Sequence, residues 1–326
     1  MSLDRCQPLT SEDEVSTPSN VGRSITVGPH GEFRAISAAV AASRPYDMIE
    51  VSSDIYHDDT CVIDHPLTIM GVMRTPLLLS TDMLRNSKAI LITRANVTLQ
   101  NLAFRGATAL LGNGSGIRHE AGTLVLRNCV FRNNQNGVLA AENPAAQVHV
   151  DNCRFIGNGA GDGHTHGIYA ADEIAALIIT NSIFVGTIVG HHIKSRARYT
   201  AVIGNTIGDG ITVSSSYDIE FPNGGAAYVQ RNRLFHGATA QNRTSVCYGA
   251  EGLKYADNYL EICDNIFENS RSKLSVGILN YSRSVTARIG NNSFKGFSIN
   301  HLGYRVLRKS RATTLDHGDP ICSETI

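Results

Sequence analysis

From residue 97 onward one short phrase keeps returning: NLAF, NCVF, NCRF, NSIF, NTI, NRL, NIF and NSF. Its last apolar residue falls at Phe104, Phe131, Phe155, Phe184, Ile207, Leu234, Phe267 and Phe294, with gaps of 27, 24, 29, 23, 27, 33 and 27 residues. A recurring period of this size marks a repeat architecture. Most gaps are too short for a strand–helix–strand unit of about 30 residues or more, and no helical pattern lies between the anchors. Each suits one coil of three short strands and three turns. The expected fold is all-β: a single-stranded right-handed parallel β-helix, a solenoid of about ten coils.

Two residues before each anchor stand Leu102, Cys129, Cys153, Ser182, Asn205, Asn232, Asn265 and Asn292. Strand alternation puts them on the same inward face as the anchors. With neighbouring strands about 4.8 Å apart, a phenylalanine stack should run beside a ladder of Cys, Ser and Asn, its amides bonded along the axis. The repeated asparagines therefore read as architecture. Cys129 and Cys153 become neighbours in that ladder, either as packed thiols or as a disulfide. The seven cysteines show no close metal-binding spacing, and their scatter leaves the compartment open.

The ends read differently. Residues 1–23 are polar and lack the apolar core of an export signal. They read as a flexible leader: a native start, or one from which an export signal has been removed. In the second case the protein would be secreted, extracellular or periplasmic. Ser24–Val27 suits a strand. Phe33, Ile36 and Val40 follow helical spacing across residues 33–43, which predicts a capping α-helix before Pro45 stops it. The β-helix is expected over 24–304, and the charged segment 305–326 as a tail or cap. Basic and acidic residues balance at 29 each, so no field draws the chain to nucleic acid. No apolar run reaches the roughly 18 residues of a membrane span.

A second set of phrases gives each coil another strand: SGIRH, NGVLA, HGIYA, HHIKS, YDIEF and VGILN. From Ile168 to Ile193 to Ile219 the steps are 25 and 26 residues, one coil each. If these aliphatics point inward, Arg118, Leu139, Tyr169, Lys194 and Glu220 form one outward column. The residues two earlier, Gly116, Gly137, Gly167, His192 and Asp218, are expected to face outward too, the glycines leaving a shallow groove. His164, His166 and His191 lie at the turn entering these strands, and Arg196 and Arg198 continue the Lys194 strand. A scaffold would place Thr, Val or Ser here. A row of Tyr, Lys and Glu costs side-chain entropy and adds little stability. The plain alternative is a solvated cross-strand ion pair beside an aromatic ring. Asn223-Gly224-Gly225 reads first as a turn. Tyr248 and Glu251 fall in the longest gap, as a groove wall or an ordinary loop.

The opening ITVGPHGEFRAISAAVAASRPYDMIEV and the blocks HGIY, HHIKSRA and SYDIEFPNGG resemble the pectate-lyase-like superfamily of right-handed β-helices, across residues 24–300. That resemblance implies a carbohydrate-active enzyme, a lyase or C5-epimerase acting on uronate-containing polysaccharide. β-Elimination needs a cation for the carboxylate, a base for the C5 proton and an acid for the leaving oxygen. Lys194 with Arg196 can supply cation and base, His166 or His192 an alternative base, and Tyr169 the acid. His164, His191, Arg198, Arg118, Asp218, Glu220 and Asn223 are candidate substrate-binding residues. A hydrolase using Asp218 and Glu220 is one alternative; a non-catalytic glycan-binding or structural module is another. No metal is expected as a cofactor, because the histidines sit beside cations. The competing readings are Zn²⁺ or Mn²⁺ on His164, His166, His191 and His192, and Ca²⁺ on Asp162, Asp218 and Glu220.

Overall fold

From residue 97 onward each coil turns one corner on a residue in the left-handed backbone region. Asn101, Asn128, Asn152, Asn181 and Asn291 take φ between 49° and 54°, and Gly204, Arg231 and Asp264 fill the same corner in other coils. Asparagine adopts this conformation more readily than most residues. The corner ends one strand and starts the next: Thr123–Arg127 gives way to Val130–Arg132, and Gln147–Asp151 to Arg154–Ile156.

The computed structural model describes residues 22–209 and 214–308. Its strands stack into three parallel sheets of 12, 10 and 10 strands, forming a right-handed parallel β-helix. The last described strand, Arg305–Arg308, pairs in parallel with Ala287–Gly290, so the solenoid runs past the expected end at 304. Most of the expected leader and tail, residues 1–21 and 309–326, lies outside the described residues. Arg23 is already tied in, its backbone and guanidinium bound to the Asp47 carboxylate. The capping helix spans Ile36–Ala42, starting later than expected. Phe33 bridges to Val27 instead, and the Asp59 carboxylate accepts the N–H groups of Ile36 and Ser37. Ile36, Ala39 and Val40 join the same core as Ile25 and Ile49.

Inside, the rings of Phe104, Phe131, Phe155 and Phe184 stack at 5.0, 4.7 and 4.5 Å, and Phe267 and Phe294 resume the stack at 4.7 Å. Beside it runs the polar ladder. The Asn232 amide oxygen accepts both the backbone N–H and the side-chain amide of Asn205, at 2.8 and 3.0 Å. Asn265 does the same for Asn232, and Asn292 for Asn265. Cys129 and Cys153 are free thiols, the Cys153 sulfur accepting the Cys129 N–H at 3.3 Å.

The ladder predicts a graded cost. Asn232→Ala strands the two Asn205 donors in the core, at about 1–3 kcal/mol for each unpaired buried group. Asn292→Ala, at the half-buried end, should cost less. Urea unfolding of the two variants measures the difference.

Candidate functional site

The outward column stacks as its spacing predicts. Arg118, Leu139, Tyr169, Lys194 and Glu220 are successive register partners across five strands. Alternation fails two positions earlier. A Cβ at Gly116 would come within 2.9 Å of the Phe131 ring, one at Gly137 within 2.7 Å of Phe155, and one at Gly277 within 2.6 Å of Phe294. These glycines face inward and let the backbone pass close to the phenylalanine stack; they do not open a groove. His192 and Asp218 share their column and are fully buried, both at 0% exposure. Neither can touch a polymer lying on the outer face, which removes both from the row.

Because two consecutive residues turn inward there, the side chains flanking the row come from three residues back. These are His166, His191 and Tyr217, the first letters of the phrases HGIYA, HHIKS and YDIEF. His166 and His191 lie 4.8 Å apart by ring centroid, His191 and Tyr217 5.1 Å, and His166 and Tyr169 5.6 Å. The site is thus two parallel columns, with Tyr217 as a member that alternation alone did not place.

A line of close contacts crosses between the columns. Lys194 Nζ lies 3.1 Å from Glu220 Oε2, which lies 3.1 Å from His191 Nε2. His191 Nδ1 lies 3.1 Å from His166 Nδ1. Glu220 Oε2 is buried and has hydrogen-bond angles with neither cationic partner, so it is within reach of two donors and committed to neither. The His191 backbone N–H donates to His166 Nδ1, which fixes that nitrogen as an acceptor and puts the His166 proton on Nε2. His191 then satisfies its surroundings only with a proton on each nitrogen, one toward Glu220 and one toward His166. Burial opposes that charge and holds His191 below its ordinary pKa, partly offset by Glu220. Burial and the neighbouring His191 and Lys194 hold His166 well below. Burial pushes the Glu220 carboxyl up, but His191 and Lys194 outweigh it and keep the carboxyl below its usual range. The resting imidazoles are neutral.

Arg196 stands beside Lys194 and is held by other groups. Its guanidinium forks onto Glu251 at 2.9 and 2.7 Å and donates to the Asn223 side chain. Tyr255 ties the following backbone, its hydroxyl donating to the Arg196 carbonyl at 2.6 Å. Burial raises the Tyr169 pKa against the pull of Arg196, so its phenol keeps its proton.

The remaining candidates scatter. His164 is exposed on a turn closed by Asp162. Arg118 pairs with Glu120 at 3.1 Å, separated from Tyr169 by Leu139. Arg198 points away, over the Tyr255 ring, into a side cavity of about 480 Å³ shared with Glu173 and Lys254. Tyr248 is buried and donates to the Gly225 carbonyl at 2.7 Å. Asp218 and Glu220 point to opposite sides of their strand and cannot flank one glycosidic bond, so the hydrolase pairing fails. The same split separates the calcium set, and Asp162 is spent on Thr165 and its own turn. Among the described residues no group of three or more His, Cys, Asp or Glu is arranged to hold a metal ion. His192 and Asp218 belong to an interior cluster instead. Thr187 Oγ1 lies 2.8 Å from His192 Nδ1, Asp209 Oδ1 3.5 Å from His192 Nε2, and Asp218 Oδ2 3.2 Å from His236 Nδ1.

The right handed beta helix region family matches residues 80–207. An alginate lyase from Paenibacillus sp. str. FPU-7 superposes with a TM-score of 0.65 at 14% identity, over 87% of this chain and 99% of that one. A mutant of the PL6 family alginate lyase AlyGC gives 0.52 at 12%, over 87% and 41%. A pectin methylesterase from Aspergillus niger gives 0.50 at 13%, over 92% and 93%. At such identities the likeness is one of fold. Among curated proteins none matches the sequence.

The buried histidines predict a pH dependence of stability. Burial lowers the pKa of His119 to about 4 and lowers those of His149, His166 and His191. The unfolded chain then binds more protons in acid, so stability falls as pH drops below about 6.5. His236 has the opposite sign. Burial disfavours its charge, but the Asp218 carboxylate outweighs that and raises the pKa. Its contribution is complete below about pH 6.5 and fades as pH rises through the folded value. Urea midpoints across this range should show an acid limb that becomes shallower in His119→Gln. An unchanged limb would rule out the burial account for that residue.

Proposed function

We propose that this β-helix is a polysaccharide-acting enzyme, a β-eliminating lyase or C5-epimerase working on a uronate polymer that it meets outside the cytoplasm. One observation carries the reading: the unbroken line of 3.1 Å contacts from Lys194 through Glu220 and His191 to His166. An ammonium cannot take a proton from carbon until it has lost its own. The line gives that proton a route toward a buried neutral imidazole. Two alginate lyases among the structural neighbours support the same substrate class.

The steps balance as follows. Arg196 neutralises the substrate carboxylate, which stabilises negative charge developing at C5. Lys194 passes a proton to the Glu220–His191 pair, which releases it to solvent, and its free amine takes the C5 proton. The C4–O bond breaks as the C4–C5 double bond forms. Tyr169 gives its phenolic proton to the departing oxygen and regains one from solvent. Epimerisation shares the first transfer, with Tyr169 returning a proton to the opposite face of C5.

Lys194→Arg is the sharpest variant. Arginine keeps the cation beside the buried Glu220 but stays protonated, so it cannot serve as base. Its turnover should fall by about 10² to 10⁴ with little change in melting temperature, and Tyr169→Phe should fall similarly. Glu220→Gln should slow turnover and shift the pH–rate profile. The readouts are absorbance of unsaturated uronate and proton exchange at C5, on alginate, pectate and glucuronan. A wild type that binds these polymers without either signal would be a binding module. Cleavage without the unsaturated product would make it a hydrolase.

A further inference from the structure

Glu251 does not come from the stacked strands. It lies on the loop between Thr244–Tyr248 and Tyr259–Cys263, inside the 33-residue gap that interrupts the repeat. From there its carboxylate reaches back across the row. Both oxygens meet the Arg196 guanidinium, at 2.9 and 2.7 Å, and Oε1 lies 3.8 Å from Lys194 Nζ. The Asn223 side-chain oxygen braces Arg196 from the other side. The side chains of Lys194 and Arg196 are each 15% exposed, and that of Glu251 is 47% exposed. The acid therefore forms the solvent-side cover of two cations that are otherwise largely enclosed.

A forked arginine–carboxylate pair has the geometry a protein uses to recognise a carboxylate. An acid this exposed contributes little to stability, so holding the fold together is a poor account of it. The loop backbone is fixed: the Glu251 N–H donates to the Pro222 carbonyl at 2.9 Å and the Lys254 N–H to Asn223 at 2.9 Å. Moving the carboxylate away needs only rotation of the Glu251 side chain, without opening the loop.

We propose that Glu251 is a built-in stand-in for the substrate carboxylate. It fills the carboxylate subsite formed by Arg196, Lys194 and Asn223 in the free protein and swings out when a uronate group arrives. The inference rests on the reading of the row as a site for uronate polymers. It adds a selection rule: a neutral or esterified sugar has no charge with which to displace Glu251, and is rejected.

The test is Glu251→Gln in the full chain, which keeps the size of the side chain and removes its charge. The KM for uronate polymer should fall on the order of tenfold with kcat nearly unchanged. Calorimetric affinity for glucuronate should rise by a similar factor, and that for its methyl ester should not. Glu268→Gln, which removes a remote charge paired to Arg233, should alter neither quantity, excluding a general charge effect. A higher KM or a collapse of kcat would make Glu251 a support for Arg196 and overturn the proposal. Unchanged KM and affinity would overturn it as well, while the lyase reading stands on the wild-type activity. A wild type and variant that both bind no glucuronate and turn over no uronate polymer would remove both.

Discussion

Register along the axis is the constraint on which every other feature depends. Each coil must land its strands opposite the same residues of the coil before, because a slip of one position exchanges the inner and outer faces. Two devices hold it here. The left-handed corner at Asn128, Asn152 and their equivalents fixes where one strand ends and the next begins. The amide ladder from Asn205 to Asn292 then locks each coil to the next through paired donors on one oxygen. Tyr169, Lys194 and Glu220 are register partners in coils that these bonds help to hold in step.

This division explains what the sequence disclosed. The phenylalanine stack, the ladder and the outward column all follow from one period, and a period is visible in a string of letters. What failed was the assumption that strands alternate without interruption. Gly116, Gly137 and Gly167 read as room for a sugar, yet the first two lie against a phenylalanine ring and the third against the His192 carbonyl, and the same break takes His192 and Asp218 indoors. Tyr217 was hidden by the same break. Glu251 was noticed but unplaced, since a loop outside the period has no register to locate it.

The strand Ile219–Phe221 and its approach carry carboxylates on both sides of the sheet. Asp218 serves an interior cluster with His236, and Glu220 faces the row between His191 and Lys194. Both are buried, and each lies beside basic or protonatable side chains, as a low-polarity setting requires. The structure thus places its charges where they are expensive to leave unpaired. That makes the inner cluster a rigid footing for the turns that present His191 and Tyr217.

The glycines that lie against the stack also reveal how the molecule trades hydrocarbon for charge. Where Phe131, Phe155 and Phe294 fill a layer, the facing position is Gly116, Gly137 or Gly277. Where the stack thins to Ile207 and Leu234, the corresponding positions along the chain are His192 and Asp218. The filling thus changes from ring plus hydrogen to branched aliphatic plus polar side chain, with Phe267 and Ser245 as an intermediate pair. Close packing tolerates such volume-conserving exchange far better than a change at one position alone. The stack position and the position facing it are therefore best exchanged as a pair. A lineage could slide the polar segment one coil along the axis by exchanging both members together, carrying the reactive row above it to a new address on an unaltered outer shape.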